Sequence, residues 1–232
     1  KYISLHKVGS GDLNNFPMIQ KLISSKKPLV LSSAMSSIDQ LKTIYDFVLT
    51  EDPNIIKENR FGILQCTAMY DNPSFSNVHL SVLKTLKNEF NCMIGFSNHS
   101  IGINSSIMAL VLGAQIIEFH YTSSKDAVFR DHKLSFDAAD LRRVSQFNKE
   151  AIEMLGDNNK KIHDDEQENT KEFRRAIYLK SNLKKGSIIN HKDLTFLRPE
   201  EGISMWDLNK VIGRKLKVDI SALEPLSFEF LD

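Results

Sequence analysis

Hydrophobic and polar positions alternate between two periods along residues 1–156. Short apolar runs, typical of buried strands, alternate with stretches whose apolar residues recur every three or four positions, as in amphipathic helices. Five strands in strict alternation with five helices favour a parallel α/β sheet. The predicted strands are 2–8, 28–31, 61–65, 93–96 and 115–121, and the predicted helices are 15–24, 38–49, 80–90, 105–112 and 137–155.

The loops that follow the predicted strands are rich in Gly, Ser, Thr, Asn and His, whereas the opposite loops, such as Ser25-Lys26-Lys27, are plainer. This asymmetry is typical of a (β/α) barrel, whose chemistry lies at the carboxyl ends of its strands. We therefore predict the α/β class and a (β/α)8 TIM-barrel type. Five units are fewer than eight, so we expect that the first three, N-terminal strands are missing from this chain.

The chain changes character after residue 156. Residues 157–172 are polar and charged and predict a linker, with a solvated extension of the preceding helix as the alternative. Residues 173–232 predict a small β-rich domain of short strands, which would be marginally stable alone and is expected to dock onto another surface. These strands are 176–180, 187–189, 194–197, 215–218 and 226–231. The predicted domains are thus 1–156 and 173–232, joined by the linker.

Composition narrows the range of partners. The 232 residues carry a formal net charge of +1, which gives no electrostatic reason to expect nucleic acid or an anionic membrane as a partner. The apolar runs are shorter than the roughly 20 residues of a membrane span. Cys66 and Cys92 lie in or beside apolar runs and indicate buried thiols rather than a disulfide, so we expect a cytoplasmic protein.

The segment from Met93 to Thr122 shows the order strand, loop, helix and strand. Two strands joined by one helical crossover are parallel and usually adjacent, about 5 Å apart. His99 and His120 should therefore lie side by side at the carboxyl ends of these strands. Two imidazoles there could share a divalent metal. The alternative is that each is a hydrogen-bonded core histidine.

Other strand ends carry groups suited to anions. Lys7, followed by a glycine-flanked Ser10, could hold a phosphate with one charge, one hydroxyl and free backbone N–H groups. The hydroxyl of Ser32 could also bind phosphate. Asp131 could contact a sugar hydroxyl or act as a base. For Lys7 and Ser10, the alternative is an ordinary surface lysine followed by a turn. For Asp131, the alternative is a surface charge cluster without function.

Taken together, these loops resemble a known family. The segments KVGSGDLNNFP, LSSAMSS, QCTAMYDNP, GFSNHSIGI, EFHYT and RDHKLSFD, in this order and spacing, resemble the sialic acid (N-acetylneuraminate or nonulosonate) synthase family. The tail segments LKKGSIINHKDLTFLRPEEGI and VIGRKLKVDI resemble the family's C-terminal antifreeze-like SAF domain, a β-clip. The resemblance implies condensation of phosphoenolpyruvate with an N-acetylated hexosamine, such as N-acetylmannosamine, to give a nonulosonic acid and phosphate.

The resemblance also implies a role for each motif residue. His99 and His120 would bind the divalent metal, usually manganese. Tyr70 would line the acceptor pocket together with Glu118 and Asp131, and these two carboxylates would be the candidates for catalytic proton transfer. The residues that would hold phosphoenolpyruvate are Lys7, Ser10, Ser32 and Ser97.

The tail would contribute one further residue. Arg198, in the tail's LRPEEGI segment, would reach into the active site of a partner subunit, because the family forms domain-swapped homodimers. The sequence leaves open which acceptor sugar is used.

The chain also departs from the family pattern. Asn98 replaces the usual Asp before the first metal-binding His, and Ala68 replaces the usual Asn or Ser after the Cys-Thr pair. Ala34 replaces a Gly, which is a mild change, and Asp71 replaces a Pro. The family's N-terminal third, with an acceptor-binding carboxylate and a phosphate-binding Lys, does not match this chain.

Ala68 and the unmatched N-terminal third favour an alternative function, a non-catalytic or degenerate sugar- or phosphate-binding paralogue. The motif residues that are retained oppose it, and they are Lys7, Ser10, His99, His120, Asp131 and Arg198. A metal-dependent aldolase or hydrolase on the same barrel is a third possibility, which the tail does not support.

Overall fold

A computed structural model describes residues 2–70, 74–128 and 131–232. The chain divides into two compact units, Lys1–Gly156 and Asp157–Asp232. Asp71 and Arg130, which belong to the motifs quoted above, lie outside the described residues. Each unit is considered by itself below.

The first unit contains a five-stranded parallel sheet in the order β1-β2-β3-β4-β5. The strands are β1 His6–Val8, β2 Leu29–Ser32, β3 Phe61–Cys66, β4 Met93–Asn98 and β5 Ile117–Phe119. The helices are α1 Phe16–Ser24, α2 Ile38–Glu51, α3 Val82–Glu89, α4 Asn104–Val111 and α5 Ala138–Leu155. The predicted alternation and the α/β class are confirmed.

The two outer strands are shorter than predicted. β1 begins at His6 rather than Tyr2, because residues 2–5 are exposed and their backbone finds no sheet partner among the described residues. β5 begins at Ile117 rather than Gln115, because the side chain of Gln115 replaces the backbone as a partner. Its Oε1 accepts a hydrogen bond from Ile94 N at 3.2 Å, while its own N–H donates to Ile94 O at 2.8 Å.

Local signals set the helix ends. Ser37 caps α2, because its hydroxyl accepts from Gln40 N at 3.3 Å and the Gln40 side chain accepts from Ser37 N. The chain leaves α4 at Gly113, whose φ of +81° favours glycine. A side-chain cap and a left-handed glycine thus set the start of α2 and the end of α4.

The core lies between the sheet and its helices. Every residue of β2 and β3 is buried, as expected for inner strands of a parallel sheet covered on its faces. From the helices, Ile19, Leu41, Ile44 and Leu83 are among the buried residues that pack against these strands.

One ion pair shows that this sheet is curled. Lys7 Nζ, on the first strand, lies 2.9 Å from Glu118 Oε1, on the fifth strand. In a flat sheet these strands would be four spacings, or about 19 Å, apart. That gap is too wide for the two side chains to bridge, so the carboxyl ends of the outer strands must bend toward each other. The five described strands form an open half-barrel. They do not close into an eight-stranded barrel.

The second unit has its own core and little regular structure. Its sheet has two antiparallel strands, β6 Ala176–Leu179 and β7 Leu194–Leu197, with a short helix α7 at Leu208–Val211. Its core is made of ten buried aliphatic residues, which are Ile177, Leu179, Ile189, Leu194, Ile203, Val211, Leu216, Ile220, Leu226 and Leu231. The single tryptophan of the chain, Trp206, lies in this unit and is 83% exposed.

Three of the five strands predicted for this unit are wrong. Residues 187–189 and 215–218 form only isolated bridges, such as Ile188 with Lys215, and residues 226–231 contain a 3-10 turn at Phe228–Phe230. Frequent turns interrupt the ladders, so the apolar residues reach the core from loops instead.

The segment predicted as a linker contains helix α6, Asp164–Phe173. It is exposed along nearly its whole length, but it is a separate helix and not the extension of the preceding helix that the alternative expected, because α5 ends at Leu155. None of the helices in the described ranges is long and apolar enough to span a membrane.

A salt-bridge cluster holds the amino-terminal side of the sheet. The Asp52 carboxylate is 3% exposed and its Oδ2 lies 2.6 Å from Arg60 Nη2 and 2.9 Å from Lys26 Nζ. The hydrogen bond from Arg60, helped by Lys26, lowers the pKa of Asp52 to about 2 although burial alone would raise it. The cluster ties the turn before β2 and the end of α2 to the residue before β3.

A substitution at Gly95 tests how closely β4 packs against β5 and the residue before it. A Cβ at this position would lie 2.5 Å from Leu64 Cδ2 and 2.8 Å from Ile116 Cβ, and would also meet Ile116 O. We expect Gly95→Ala to lower the free energy of unfolding by about 1–3 kcal/mol, as overpacking does. Gly9→Ala is the matched control, because a Cβ there meets nothing within 4 Å. Equal stability of the two variants in urea unfolding would contradict this packing.

Asp52 gives the fold a specific pH dependence. Its pKa is lower in the folded chain than the usual value near 3.9, so its contribution is complete above pH ~4 and is lost as the pH falls toward 2. We expect Asp52→Asn to lower the free energy of unfolding at pH 7 by about 1–3 kcal/mol, because Arg60 and Lys26 lose the charge of the buried carboxylate that they share. The variant should also lose less stability than the wild type between pH 4 and 2. Parallel stability curves for the two proteins would contradict this role.

Candidate functional site

A cavity of about 400 Å³ opens at the carboxyl ends of all five parallel strands. Each strand, or the loop that follows it, contributes at least one polar side chain to the wall. The lining residues with hydroxyl, amine, imidazole, thiol, amide or carboxylate groups are Lys7, Ser10, Ser32, Cys66, Tyr70, Ser97, Asn98, His99, Glu118 and His120. Eight of these are residues for which the sequence predicted a role, so the structure brings most of the predicted site together.

Lys7, Ser32 and Glu118 form one polar group across the cavity. Glu118 accepts a hydrogen bond from Ser32 Oγ at 3.2 Å through Oε2, while its Oε1 pairs with Lys7. Burial alone would raise the pKa of the Glu118 carboxyl. Hydrogen bonds from Ser97, Lys7 and Ser32 and the charge of Lys7 outweigh burial, so this pKa lies below its ordinary value. Glu118 is therefore a carboxylate at neutral pH and can accept a proton but not donate one.

Ser10 connects two loops at the rim of the cavity. Its Oγ accepts a hydrogen bond from Ala34 N at 3.0 Å, so the loop after β1 is fastened to the loop after β2. Ser97, in contrast, is 3% exposed and is the strand residue directly opposite Glu118 in the β4–β5 register. Both hydroxyls border the same cavity as the Lys7 amine.

His99 and His120 lie side by side, as the strand order predicted. Their ring centroids are 5.1 Å apart, and the Tyr70 ring packs edge-on against both. His99 Nε2 lies 2.9 Å from the Tyr70 hydroxyl, and His99 Nδ1 lies 3.5 Å from Cys66 Sγ. The histidine pair therefore borders the cavity and does not belong to the apolar core.

Burial, and after it the charge of His120, lowers the pKa of His99 below its ordinary value. His99 is therefore a neutral imidazole at pH 7, the form that binds metal ions. Burial also raises the pKa of the Cys66 thiol, which makes it a poor nucleophile at neutral pH.

The two imidazoles suit a metal held by two protein ligands. A centroid separation of 5.1 Å allows one nitrogen of each ring to reach a common ion at the ~2.1 Å typical of metal–imidazole bonds. Among the residues that the structure describes, no group of three or more His, Cys, Asp or Glu side chains could hold an ion. A metal bound by His99 and His120 would thus keep its other positions for oxygen ligands, which Mn²⁺ accepts alongside imidazole.

Two predicted residues do not line this cavity. Asp131 lies in the segment between β5 and α5, and its Oδ1 is buried with no hydrogen-bond partner among the described residues. Arg198 belongs to the second unit, where it is exposed and precedes Pro199. The proposed roles of both remain predictions.

Cys66 and Asn98 border the cavity, although sequence reasoning assigns neither of them a role in the site. The sequence predicts Cys66 only as a buried thiol, yet this residue ends β3 directly opposite Ser97 in the register. Because parallel strand ends meet at one edge, its position as the last residue of an apolar run was a usable signal. Asn98 was recognised only as a departure from the family pattern.

A family model supports the resemblance. Residues 1–160 match the NeuB family and residues 174–232 match the SAF domain. The chain belongs to the NeuB family. This membership covers the whole unit that carries the cavity, and the SAF match covers the small second core.

Named relatives are nonulosonate synthases. The chain is 32% identical to the N,N'-diacetyllegionaminic acid synthase of Legionella pneumophila over 226 residues, which are 97% of this chain and 63% of that protein. It is 30% identical to the human N-acetylneuraminate-9-phosphate synthase over 232 residues, which are 99% of this chain and 63% of that protein. The chain therefore spans less than two thirds of the length of these relatives.

Solved structures agree on the fold. The crystal structure of spore coat polysaccharide biosynthesis protein E from Chromobacterium violaceum matches 99% of this chain and 68% of its own, with a TM-score of 0.78 and 22% identity. The N-acetylneuraminic acid synthetase of Leptospira borgpetersenii, crystallised with citrate, matches 72% of this chain and 56% of its own, with a TM-score of 0.65 and 25% identity.

The thiols provide a test of the site's environment. Cys66 is 6% exposed with a raised pKa, and burial raises the pKa of Cys92 to about 12. Because the thiolate is the reactive form, we expect both thiols of the native protein to react with a disulfide reagent at pH 8 at least tenfold more slowly than in 6 M guanidinium. A native thiol that reacts as fast as free cysteine would contradict the described burial. The variants Cys66→Ser and Cys92→Ser each lack one thiol, so they show which thiol gives rise to each kinetic phase of the reaction.

Proposed function

We propose that this chain is part of a synthase that condenses phosphoenolpyruvate and an N-acetylated hexosamine, with water, into a nonulosonic acid and phosphate. The supporting observation is a single cavity that combines an amine and hydroxyls suited to an anion with a pair of imidazoles suited to a metal. The family match and the named synthases support the same reaction. The acceptor is N-acetylmannosamine or a related hexosamine.

The catalytic unit is completed by further strands in this proposal. The described half-barrel has five strands, while a TIM-type barrel has eight. β1 pairs only with β2, and Ile117–Phe119 of β5 is half-buried, so both outer strands have edges that further strands can cover. We therefore assign the activity to the complete barrel. The residues of the cavity are the part of its active site that this chain contributes.

Phosphoenolpyruvate would lie against Lys7, Ser10, Ser32 and Ser97. The substrate is an anion, and the Lys7 ammonium can neutralise it while the hydroxyls donate hydrogen bonds and fix its orientation. Binding would draw Lys7 toward the substrate and weaken its ion pair with Glu118. The hydroxyls of Ser32 and Ser97 would keep Glu118 oriented during this exchange.

The acceptor would lie beside Tyr70 and Glu118, with His99 and His120 holding a divalent metal, which we propose is Mn²⁺. When bound, the metal supplies Lewis-acid polarisation of the acceptor's aldehyde oxygen. Tyr70 borders both imidazoles and, in this proposal, would orient the sugar next to them. The neutral state of His99 is the form that binds a metal, and the ion would take the place of Tyr70 or Cys66 as the partner of one ring nitrogen.

Proton transfer is the proposed work of Glu118 and Asp131. Water must lose a proton when it adds to the condensation intermediate, and that intermediate then releases phosphate. Glu118 is a carboxylate within the cavity and can accept such a proton. Asp131 lies in the segment between β5 and α5 and is the second candidate.

The tail supplies a further part of the proposal. The SAF match covers Arg198, and its exposed guanidinium can bind a carboxylate or sugar hydroxyl. We propose that it completes the active site of a partner subunit in a domain-swapped homodimer. Removal of residues 172–232 should then abolish activity while the first unit stays folded.

A second function is supported by one observation. Ala68 lines the cavity with a methyl group where the family pattern places an amide or hydroxyl. A cavity with fewer polar contacts suits a sugar- or phosphate-binding paralogue without catalysis. This alternative predicts ligand binding in the complete protein without turnover.

Phosphate release is the decisive assay. We expect the protein extended to the natural start of its gene to release phosphate from phosphoenolpyruvate with Mn²⁺ and either N-acetylmannosamine or a diacetylated hexosamine. This chain alone should be much slower, and Lys7→Ala in the extended protein should raise the KM for phosphoenolpyruvate more than that for the sugar. No turnover of any sugar, despite bound Mn²⁺, would favour the binding paralogue.

His120→Ala tests the metal assignment without turnover. The variant removes one of two proposed ligands from a half-buried position, so we expect Mn²⁺ affinity to fall at least tenfold with little change in stability. Isothermal titration with Mn²⁺ measures the affinity, and circular dichroism measures the fold. His191→Ala, an exposed histidine of the second unit, is the matched control. Unchanged Mn²⁺ stoichiometry and affinity in His120→Ala would contradict the pair.

A further inference from the structure

A buried polar network surrounds the backbone of His99. Asn98 and Ser100, its two neighbours in the chain, are each 1% exposed, and Ser105 in the first turn of α4 is 3% exposed. The three side chains are in mutual hydrogen-bond contact. The network therefore fastens the end of β4 to the start of α4 across the loop that carries His99.

The Asn98 side chain is the centre of this network. Its Oδ1 accepts from Ser100 N at 2.8 Å, Ser100 Oγ at 2.8 Å and Ser105 Oγ at 3.0 Å, and its Nδ2 donates to Gly102 O at 3.3 Å. Ser100 Oγ and Ser105 Oγ also lie 2.5 Å apart, so two hydroxyl protons are shared among three contacts.

This set of partners fits an amide better than a carboxylate. One side of the Asn98 group faces three donors, while the other side faces the carbonyl of Gly102, which can only accept. An aspartate would place a second oxygen against that carbonyl and would bring a charge into a site that is 1% exposed. The amide satisfies both sides and stays neutral.

We propose that Asn98 is a positioning residue for the candidate metal site. Its network fixes the backbone on both sides of His99 and thereby holds the imidazole toward His120, 5.1 Å away between ring centroids. The inference rests on the proposed function in one respect, namely that His99 binds a metal. Asn98 itself acts through His99.

The energetic argument follows from burial. A loop residue with a free backbone samples several orientations, and an ordered ligand avoids that entropic cost on binding. Partners that orient metal-binding histidines typically contribute 10–100-fold to metal affinity. The network does not contact the His99 ring, because the partners of its two nitrogens are Tyr70 and Cys66. It therefore orients His99 through the backbone.

The test compares substitutions in the network with a neighbour outside it. Asn98→Ala removes the centre, and Ser105→Ala removes one donor. Ser106→Ala is the matched control, because Ser106 is 0% exposed on the same helix and its Oγ has no hydrogen-bond partner in the described structure. Two readouts are needed in the extended protein: the dissociation constant of Mn²⁺, and the 15N resonances of the metal-free His99 ring.

We expect Asn98→Ala to weaken Mn²⁺ binding by about 10–100-fold and Ser105→Ala by a smaller factor of about 3–10, with Ser106→Ala within about twofold of the wild type. The His99 resonances should shift or broaden in the first two variants only. If Asn98→Ala does not fold, Ser105→Ala carries the test. A folded network variant with lower thermal stability but unchanged Mn²⁺ affinity and unchanged His99 resonances would overturn the proposal.

The two proposals fail in different ways. A wild-type protein that binds no Mn²⁺ refutes the metal assignment of the proposed function. In that case the His99 resonances alone test the positioning role of Asn98, because they are measured on the metal-free protein. Network variants that leave these resonances as in Ser106→Ala would overturn it, and selective changes would support it.

Discussion

The ion pair between Lys7 and Glu118 depends on a curled sheet, and the cavity depends on the same curl. It joins the first and fifth strands at their carboxyl ends, where flat strands would keep the two charges apart. The hydroxyls of Ser32 and Ser97 then converge on Glu118 from the strands between. Because every strand end points into one volume, the Lys7 amine, several hydroxyls and the imidazole pair share a single cavity of about 400 Å³.

The two ends of the sheet are built for different purposes. At the amino-terminal side, Asp52 pairs with Arg60 and Lys26, and these ion pairs stabilise the fold. At the carboxyl side, charged and polar groups remain at the cavity wall, where burial and neighbours adjust their protonation. Glu118 is kept as a carboxylate and His99 as a neutral imidazole, which are the forms required of a base and of a metal ligand.

The alternation of strands and helices could be predicted because apolar periodicity is strong in residues 1–156. The histidine pair followed from it, since a single crossover makes β4 and β5 neighbours. The network of Asn98 could not be predicted, because it depends on the turn at Gly102 and on which hydroxyls face inward. The prediction of strands in the second unit was partly wrong for a related reason. Its core is filled from loops, such as that of Ile203, where periodicity carries no signal.

The two separate cores have a practical consequence for spectroscopy. Trp206 is the only tryptophan, lies in the SAF unit and is 83% exposed. We expect an indole this exposed to emit in the folded protein as it does in water, and no indole lies in the NeuB unit. Intrinsic fluorescence would therefore be almost blind to melting of the half-barrel. A tryptophan introduced at Phe47, half-buried against the first core, would give that unit an optical reporter of its own.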